Sequence, residues 1–546
     1  MKLSHSHLAL AFTCLAGVVS STGVKPDLRD ATRDHQSQDR RPLTRAGAEG
    51  FSRSRWIAQR MKHVRLSSGV VPNPPGLDLE HVGDITSPLE EVAAELPVRV
   101  NTDLLPPSTV AQPETQAEPY LAANPQNDDN LIAVYQEHRF ANGGARALNY
   151  SVSFDAGATW KEGLLPAMTT PSGGSWQKAS DPWVAFGPDN RAYAASLLFN
   201  ETNPANAIGV SRSLDGGITW SGPVEVFRSN PDFNDKEAIA VDTSRNSPHF
   251  GNIYAAWDIN PANRNDFQTL VVSRSTDGGL SWGPPETIRD TEGNVGAIPA
   301  VGPDGTVYLA WVGGPENAVK AKLFFSRSTD GGLTWTRPRK LLKFRAVGVP
   351  NQRVGGPLPS FAVDPTSGAL HIGWEDRRWT GVDQATIISS RDRGETWSEP
   401  HRVSDGPDDS PSYTVSVATN SEGMVAVSYY SVRNDSQRRF LADEYCSISV
   451  DGGATFRPGL RMTSASFDVR FAAVAGGNFF LGDYAGLAGT GRSFQALWIS
   501  TYLQSAVNPD RKQPDVFTGA AGTALLTGSR GTGPGRRPTH AHSDAF

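Results

Sequence analysis

Cysteine is almost missing from this chain: 546 residues carry two. Cys14 sits in the apolar N-terminal run and is expected to leave with it. Cys446 is then alone, no intrachain disulfide is possible in the mature chain, and a buried, inert thiol is its expected state. Signatures of phosphate and metal chemistry are lacking too. There is no Walker A loop, no His-Glu-x-x-His and no Cys-x-x-Cys, so the nucleotide, zinc-protease and dithiol chemistries that need them are not expected. The stretch GTGPGR near the C-terminus follows no strand, which removes a dinucleotide reading. The Asp-rich loops lack the spaced ladder and final Glu of a calcium hand. No cofactor and no metal are called for. The net charge of -6 and the lack of a nucleic-acid motif argue against a nucleic-acid partner. Long hydrophobic runs are also scarce. The run LALAFTCLAGVV is too short to span a bilayer, and with Lys2 before it and SSTG after it, residues 1–23 read as a secretory signal peptide. A secreted, extracellular monomer without a membrane span is the expectation.

What is present is repetition. Six copies of Ser-x-Asp-x-Gly-x-Thr/Ser-Trp/Phe run along the chain, with aspartates at Asp155, Asp215, Asp277, Asp330, Asp392 and Asp451. Two of them, STDGGLSW and STDGGLTW, are nearly identical. Each follows an alternating strand such as TLVVSRS; glycine supplies the positive φ of a tight turn and aspartate accepts N–H bonds across it. The aromatic then packs on the sheet. These aspartates read as turn staples rather than catalysts.

A second repeated element precedes each box and occurs seven times, from EPYLAANPQNDDNLIAVYQ to DYAGLAGTGRSFQALW. It is a strand, a Pro/Asp/Gly/Asn turn and a second strand. With the strands flanking the box, each unit has four antiparallel strands, which is a propeller blade. The expected fold is therefore an all-β propeller, seven-bladed, with six blades as the alternative. PVRVNTDLL, upstream of the first unit, is the unpaired strand that would complete the last blade beside QPDVFTG and remove the open edges.

The expected organisation is a signal peptide at 1–23, a pro-segment or disordered arm at 24–96, the propeller at 97–519 and a flexible Gly-rich tail at 520–546. Sequons at Asn149, Asn200 and Asn434 permit N-glycosylation in a secreting eukaryote.

Innermost strands line a propeller's central channel. Aligning the seven first strands puts Glu118, Asp181, Lys236, Gly296, Leu358, Ser412 and Asp483 at one offset. Tyr413, Tyr484 and Glu237 follow directly. Like charges so close push pKa values apart, which is how one site supplies an acid and a base; alternatively Lys236 only neutralises the acids in a water-filled channel. Two further clusters, YQEHR with Arg139 and WEDRRW with Arg377, carry guanidiniums that suit bidentate carboxylate binding or surface ion pairs.

The box repeats resemble the Asp-box, or bacterial neuraminidase repeat, and residues 97–519 resemble the sialidase-like propeller superfamily. In that family the box lies at the blade periphery, three arginines bind the sugar carboxylate, a tyrosine backed by glutamate is the nucleophile and an aspartate is the acid/base. The chain departs from the family in having no Phe/Tyr-Arg-Ile-Pro stretch; AEPYLAANP stands in its place. The resemblance implies Asp181 as acid, Tyr484 as nucleophile and Glu118 or Glu237 as its base. Arg139, Lys236, Arg377, Asp483 and Tyr413 are the candidate substrate contacts. A glycoside hydrolase acting on terminal sugars of glycans, anionic ones included, is the leading expectation. A propeller lyase acting on uronate-containing polysaccharide and a non-catalytic propeller binding glycan or protein are the alternatives.

Overall fold

The structure, a computed structural model, describes residues 96–263, 268–289, 293–314, 321–354, 358–491, 493–501 and 513–522. The expected signal peptide, the arm up to residue 95 and the tail beyond Gly522 lie outside the described residues. Apart from three short 3-10 turns, every described element is a strand.

The strands form four-stranded antiparallel units in chain order. Their first strands are Gln116–Asn124, Lys178–Phe186, Phe233–Val241, Val295–Val301, Ser360–Val363, Ser412–Thr419 and Gly486–Gly489. Each touches the next, and Gly486–Gly489 returns to Gln116–Asn124, so the circle closes. The closing unit is completed from the other end of the chain: Val98–Arg99 pairs antiparallel with Pro514–Gly522, with Val98 opposite Thr518. Asn101 locks this closure by donating to Asp515 Oδ1 at 3.0 Å and accepting from Val516 N at 2.7 Å. The unpaired strand expected in PVRVNTDLL thus has its partner, and the partner strand runs to Gly522, past the expected boundary at Gly519.

Between units the core is aromatic. Trp257, Trp311, Trp374 and Trp498 come from the repeated second strand and are fully buried. Three of them are fixed by hydrogen bonds: Trp257 Nε1 and Trp311 Nε1 each donate at 2.9 Å, to Asn234 and Asn294, and Trp374 Nε1 donates to Asp376 Oδ2 at 3.2 Å. Burying such a ring while satisfying its N–H keeps both its apolar area and its polar atom in use.

The six boxes share the Ser-Asp-Gly-Thr/Ser bonds, and the copies at Trp160, Trp220 and Trp397 add an indole cap. In the copy at Asp215, Ser213 Oγ donates to Asp215 Oδ1 at 2.7 Å and accepts from Gly217 N at 2.9 Å. Thr219 N and Oγ1 donate to the two carboxylate oxygens at 2.9 and 2.5 Å, and Trp220 Nε1 caps Gly217 O at 3.1 Å. Strand register shows where this turn lies. In the third unit, Val241, Ile253 and Ser275 are aligned across the sheet at the box end, whereas Asp235, Asp258 and Leu270 are aligned at the other. Lys236 belongs to that other end, so the boxes stand a full strand length from the ring of charges. Hydrogen bonds from Ser281 hold the Asp277 carboxyl near pKa 2. Asp277→Ala is therefore expected to lower the melting temperature by scanning calorimetry and to leave any turnover unchanged.

Cys446 is buried, and burial pushes its thiol pKa up. Asn149 is buried as well, with Nδ2 donating to Glu137 Oε2 at 3.0 Å. Its sequon is therefore closed in the folded chain.

Candidate active site

The first strands carry a repeated distortion at their mouth end. Register shifts fall between Ala117 and Tyr120, Ser180 and Trp183, Asp235 and Ala238, Val295 and Ile298, and Tyr413 and Ser416. In each bulge one residue has positive φ: Glu118 at 53°, Asp181 at 50°, Lys236 at 53°, Gly296 at 65° and Thr414 at 53°. Bulges re-aim side chains, and left-handed non-glycine residues gather where function holds them. The offset expected for Glu118, Asp181, Lys236 and Gly296 is thus a structural equivalence. Thr414 takes the place expected of Ser412: the apolar and polar residues of Ser412–Thr419 alternate, so the apolar step used for alignment matches two residues out of register. At Gly296 a Cβ would stand 2.5 Å from Leu358 Cδ2, so a larger residue there would require that side chain to move.

Lys236 is the hub. Its Nζ donates to Asp181 Oδ1 at 2.8 Å and Asp483 Oδ2 at 2.5 Å, and lies 3.8 Å from Glu118 Oε1. Ligand oxygens of Glu118, Asp181 and Asp483 fall within 4.8 Å of one another. Among the described residues this is where a cation would be held, and the Lys236 ammonium already stands there. Asp483 also pairs with Arg353, a residue the sequence reading did not single out. Arg139 is buried, bonded to Gln136 Oε1, with its guanidinium 4.1 Å from the Phe480 ring centroid; Arg353 lies over the same ring at 4.6 Å.

Below this hub is a cavity of about 580 Å³, open space at its mouth included, with Lys236, Glu237, Glu375, Thr414, Asp483 and Tyr484 in its wall. Tyr120 and Trp183, also in the wall, stack with centroids 3.6 Å apart, and Tyr484 meets them edge-on at 6.0 and 5.3 Å. Tyr484 Oη donates to Pro182 O at 2.9 Å, and burial followed by the charges of Glu118, Asp181 and Glu237 raises its pKa well above the usual phenol value. Glu237 is 2% exposed, and neither of its oxygens has a hydrogen-bond partner among the described residues. Burial, then Asp181, raises its pKa well above the usual carboxylate range. Glu375 Oε1 accepts from Thr414 N at 2.6 Å while Oε2 has no partner, and burial raises its pKa too.

The structure thus gathers Glu118, Asp181, Lys236, Glu237, Asp483 and Tyr484 at the channel, with Arg139 beside them. It does not bring in the other two candidates. Tyr413 is buried in the sixth unit, donating to Gln352 Oε1 at 2.8 Å. Arg377 sits in the turn after Leu370–Asp376, and its backbone N donates to Arg345 O at 2.9 Å. Glu375, Arg353 and the aromatic wall are additions. A signal for the wall was present: EPY and SDPW place an aromatic two residues after the ring acid, and GDY one residue after.

Burial also sets a pH dependence. Desolvation raises Glu137 from 4.5 to about 8 and, first among its causes, raises Glu118. Between those values the unfolded chain releases the proton while the folded chain keeps it, so stability falls as pH rises from about 4.5 to about 8. Urea unfolding at pH 5 and pH 8 is expected to give the larger free energy at pH 5, and the opposite order would refute these assignments.

No family model matches the chain. A curated sialidase of Bacteroides fragilis (strain YCH46) is 26% identical over 282 residues, 46% of this chain and 48% of that protein. The chain therefore spans about half the length of this curated relative. Solved structures similar to it include the Hadza microbial sialidase Hz136, with 16% identity and a TM-score of 0.42 over 69% of this chain and 74% of that one. The α-L-arabinanase of Penicillium chrysogenum complexed with arabinobiose has 12% identity and a TM-score of 0.41 over 78% and 98%.

Proposed function

We propose that this sialidase-like propeller is a secreted glycoside hydrolase that removes terminal sugars from glycans at the mouth of its central channel. The observation that carries the reading is Glu237: a buried carboxyl, both oxygens unpartnered among the described residues, in the wall of a cavity it lines together with Tyr120, Trp183 and Tyr484. An acid kept protonated at neutral pH by desolvation is what protonating a leaving glycosidic oxygen requires. Tyr120, Trp183 and Tyr484 offer ring faces and edges to a sugar. Asp181, bonded to Lys236, is the second carboxyl of the pair that glycoside hydrolysis uses. Tyr484 is assigned to this wall rather than to nucleophilic attack, because its hydroxyl is engaged by Pro182 O and its phenolate is disfavoured. Seven blades is the reading the closed circle of first strands supports.

The test is product analysis with the Glu237→Gln variant as control. Sugar released by the parent protein and not by the variant supports the reading; release by both removes Glu237 from it. The lyase alternative would show instead as ultraviolet-absorbing unsaturated products.

A further inference from the structure

The positive charge at the mouth converges on one carboxylate, and that carboxylate belongs to the chain. Asp483 Oδ2 accepts from Lys236 Nζ at 2.5 Å and from Arg353. Arg139 stands beside Arg353 over Phe480. Although burial opposes ionisation, Arg353, Lys236 and Arg139 hold the Asp483 carboxyl well below the usual carboxylate range. Of the donors on these cations, Arg353 Nη1 and Arg139 Nε have no hydrogen-bond partner among the described residues, whereas Lys236 Nζ and Arg353 Nη2 are committed to carboxylates of the chain. Lys236 is shared with Asp181 and Glu118, and Arg139 is buried against Gln136 and Phe480. Charge-assisted pairs of this kind, largely desolvated, are costly to open.

We infer that Asp483 is an internal occupant of this cationic cradle and that it sets the cavity's specificity toward uncharged sugars. A substrate carboxylate entering the cavity finds Lys236 Nζ and Arg353 Nη2 already paired and the Asp483 and Asp181 carboxylates beside them. A neutral sugar needs no free cation there and can use the aromatic wall and the carboxyls of Glu237 and Glu375. The inference rests on the reading that a sugar enters here, and it turns the expectation of an anionic sugar around: the chain supplies its own carboxylate where an anionic ligand would dock.

The consequence is specific. Removing the Asp483 side chain vacates a cradle of Lys236 and Arg353 that a free carboxylate can fill. Asp483→Ala is titrated with sodium acetate at constant ionic strength, sodium chloride serving as the balance, and the melting temperature is followed. A saturable rise is expected in the variant, with acetate bound at least about tenfold more tightly than by the parent protein. An acetate response equal in both proteins, or absent from the folded variant, overturns the inference. Should Asp483→Ala fail to fold, Asp483→Asn removes the charge while filling the space and is expected to remain unresponsive, and the parent protein then decides the matter. Calorimetric titration with N-acetylneuraminic acid and with neutral monosaccharides is expected to favour the neutral ligands, and tighter binding of the acid overturns the inference. These readouts need no turnover, so an inactive protein would refute the proposed function while leaving the cradle testable.

Discussion

Replacing Lys236 with methionine is expected to lower the unfolding free energy by about 3–5 kcal/mol, the cost of stripping the partner from buried charges. The ammonium lies within 4.0 Å of three carboxylates, and only Arg353, on Asp483, would remain as a direct ion-pair partner for any of them. Without the lysine these acids repel one another and take up protons more readily, so lowering the pH should restore part of the loss. Urea unfolding of Lys236→Met and the parent at pH 7 and pH 4.5 measures both effects. A loss under about 1 kcal/mol at pH 7 would mean that the ammonium is effectively solvated and the hub is a surface pair.

Glu237→Gln is expected to behave in the opposite way. Turnover should fall about 100- to 10,000-fold, the range for losing a positioned general acid. Stability should stay level or rise. The sign follows from linkage: the folded chain holds the Glu237 proton to higher pH than the unfolded chain does, and wherever only the unfolded chain has released it this difference opposes folding. An amide, neutral in both states, removes it. Steady-state assays beside denaturant unfolding at pH 7 separate catalysis from folding. Turnover and stability falling together would point to a structural carboxyl instead.

The fold was readable because its signals repeat. The alternating strands, the Asp-Gly turns and the Ser-Asp-Thr bonds are local, so six copies read independently lead to one architecture. The closure of Val98–Arg99 on Pro514–Gly522 was legible for a different reason: an unpaired strand at one end and a unit short of a strand at the other demand each other. The ring was legible up to the bulges. Counting from the hydrophobic step places Glu118, Asp181 and Lys236 correctly, but in the alternating SYTVSVAT the step can be matched two residues early, which is why Thr414 and not Ser412 holds the sixth position. Arg353 could not be found by counting at all. It lies on Gln352–Arg353, which pairs in parallel with Asn478–Phe480, a contact between distant segments outside the blade period. Tyr413 was misplaced because the ring position of its strand is Thr414: Tyr413 comes before the bulge residue, whereas Glu237 comes after its own, Lys236.

The most direct test of the account incubates the purified protein with a panel of neutral, sialylated and uronate-containing glycans and follows released sugar, with Glu237→Gln alongside. The account predicts a free sugar from a neutral glycan and none from the variant. Silence on every glycan by a protein that unfolds cooperatively, or equal release by parent and variant, would contradict it.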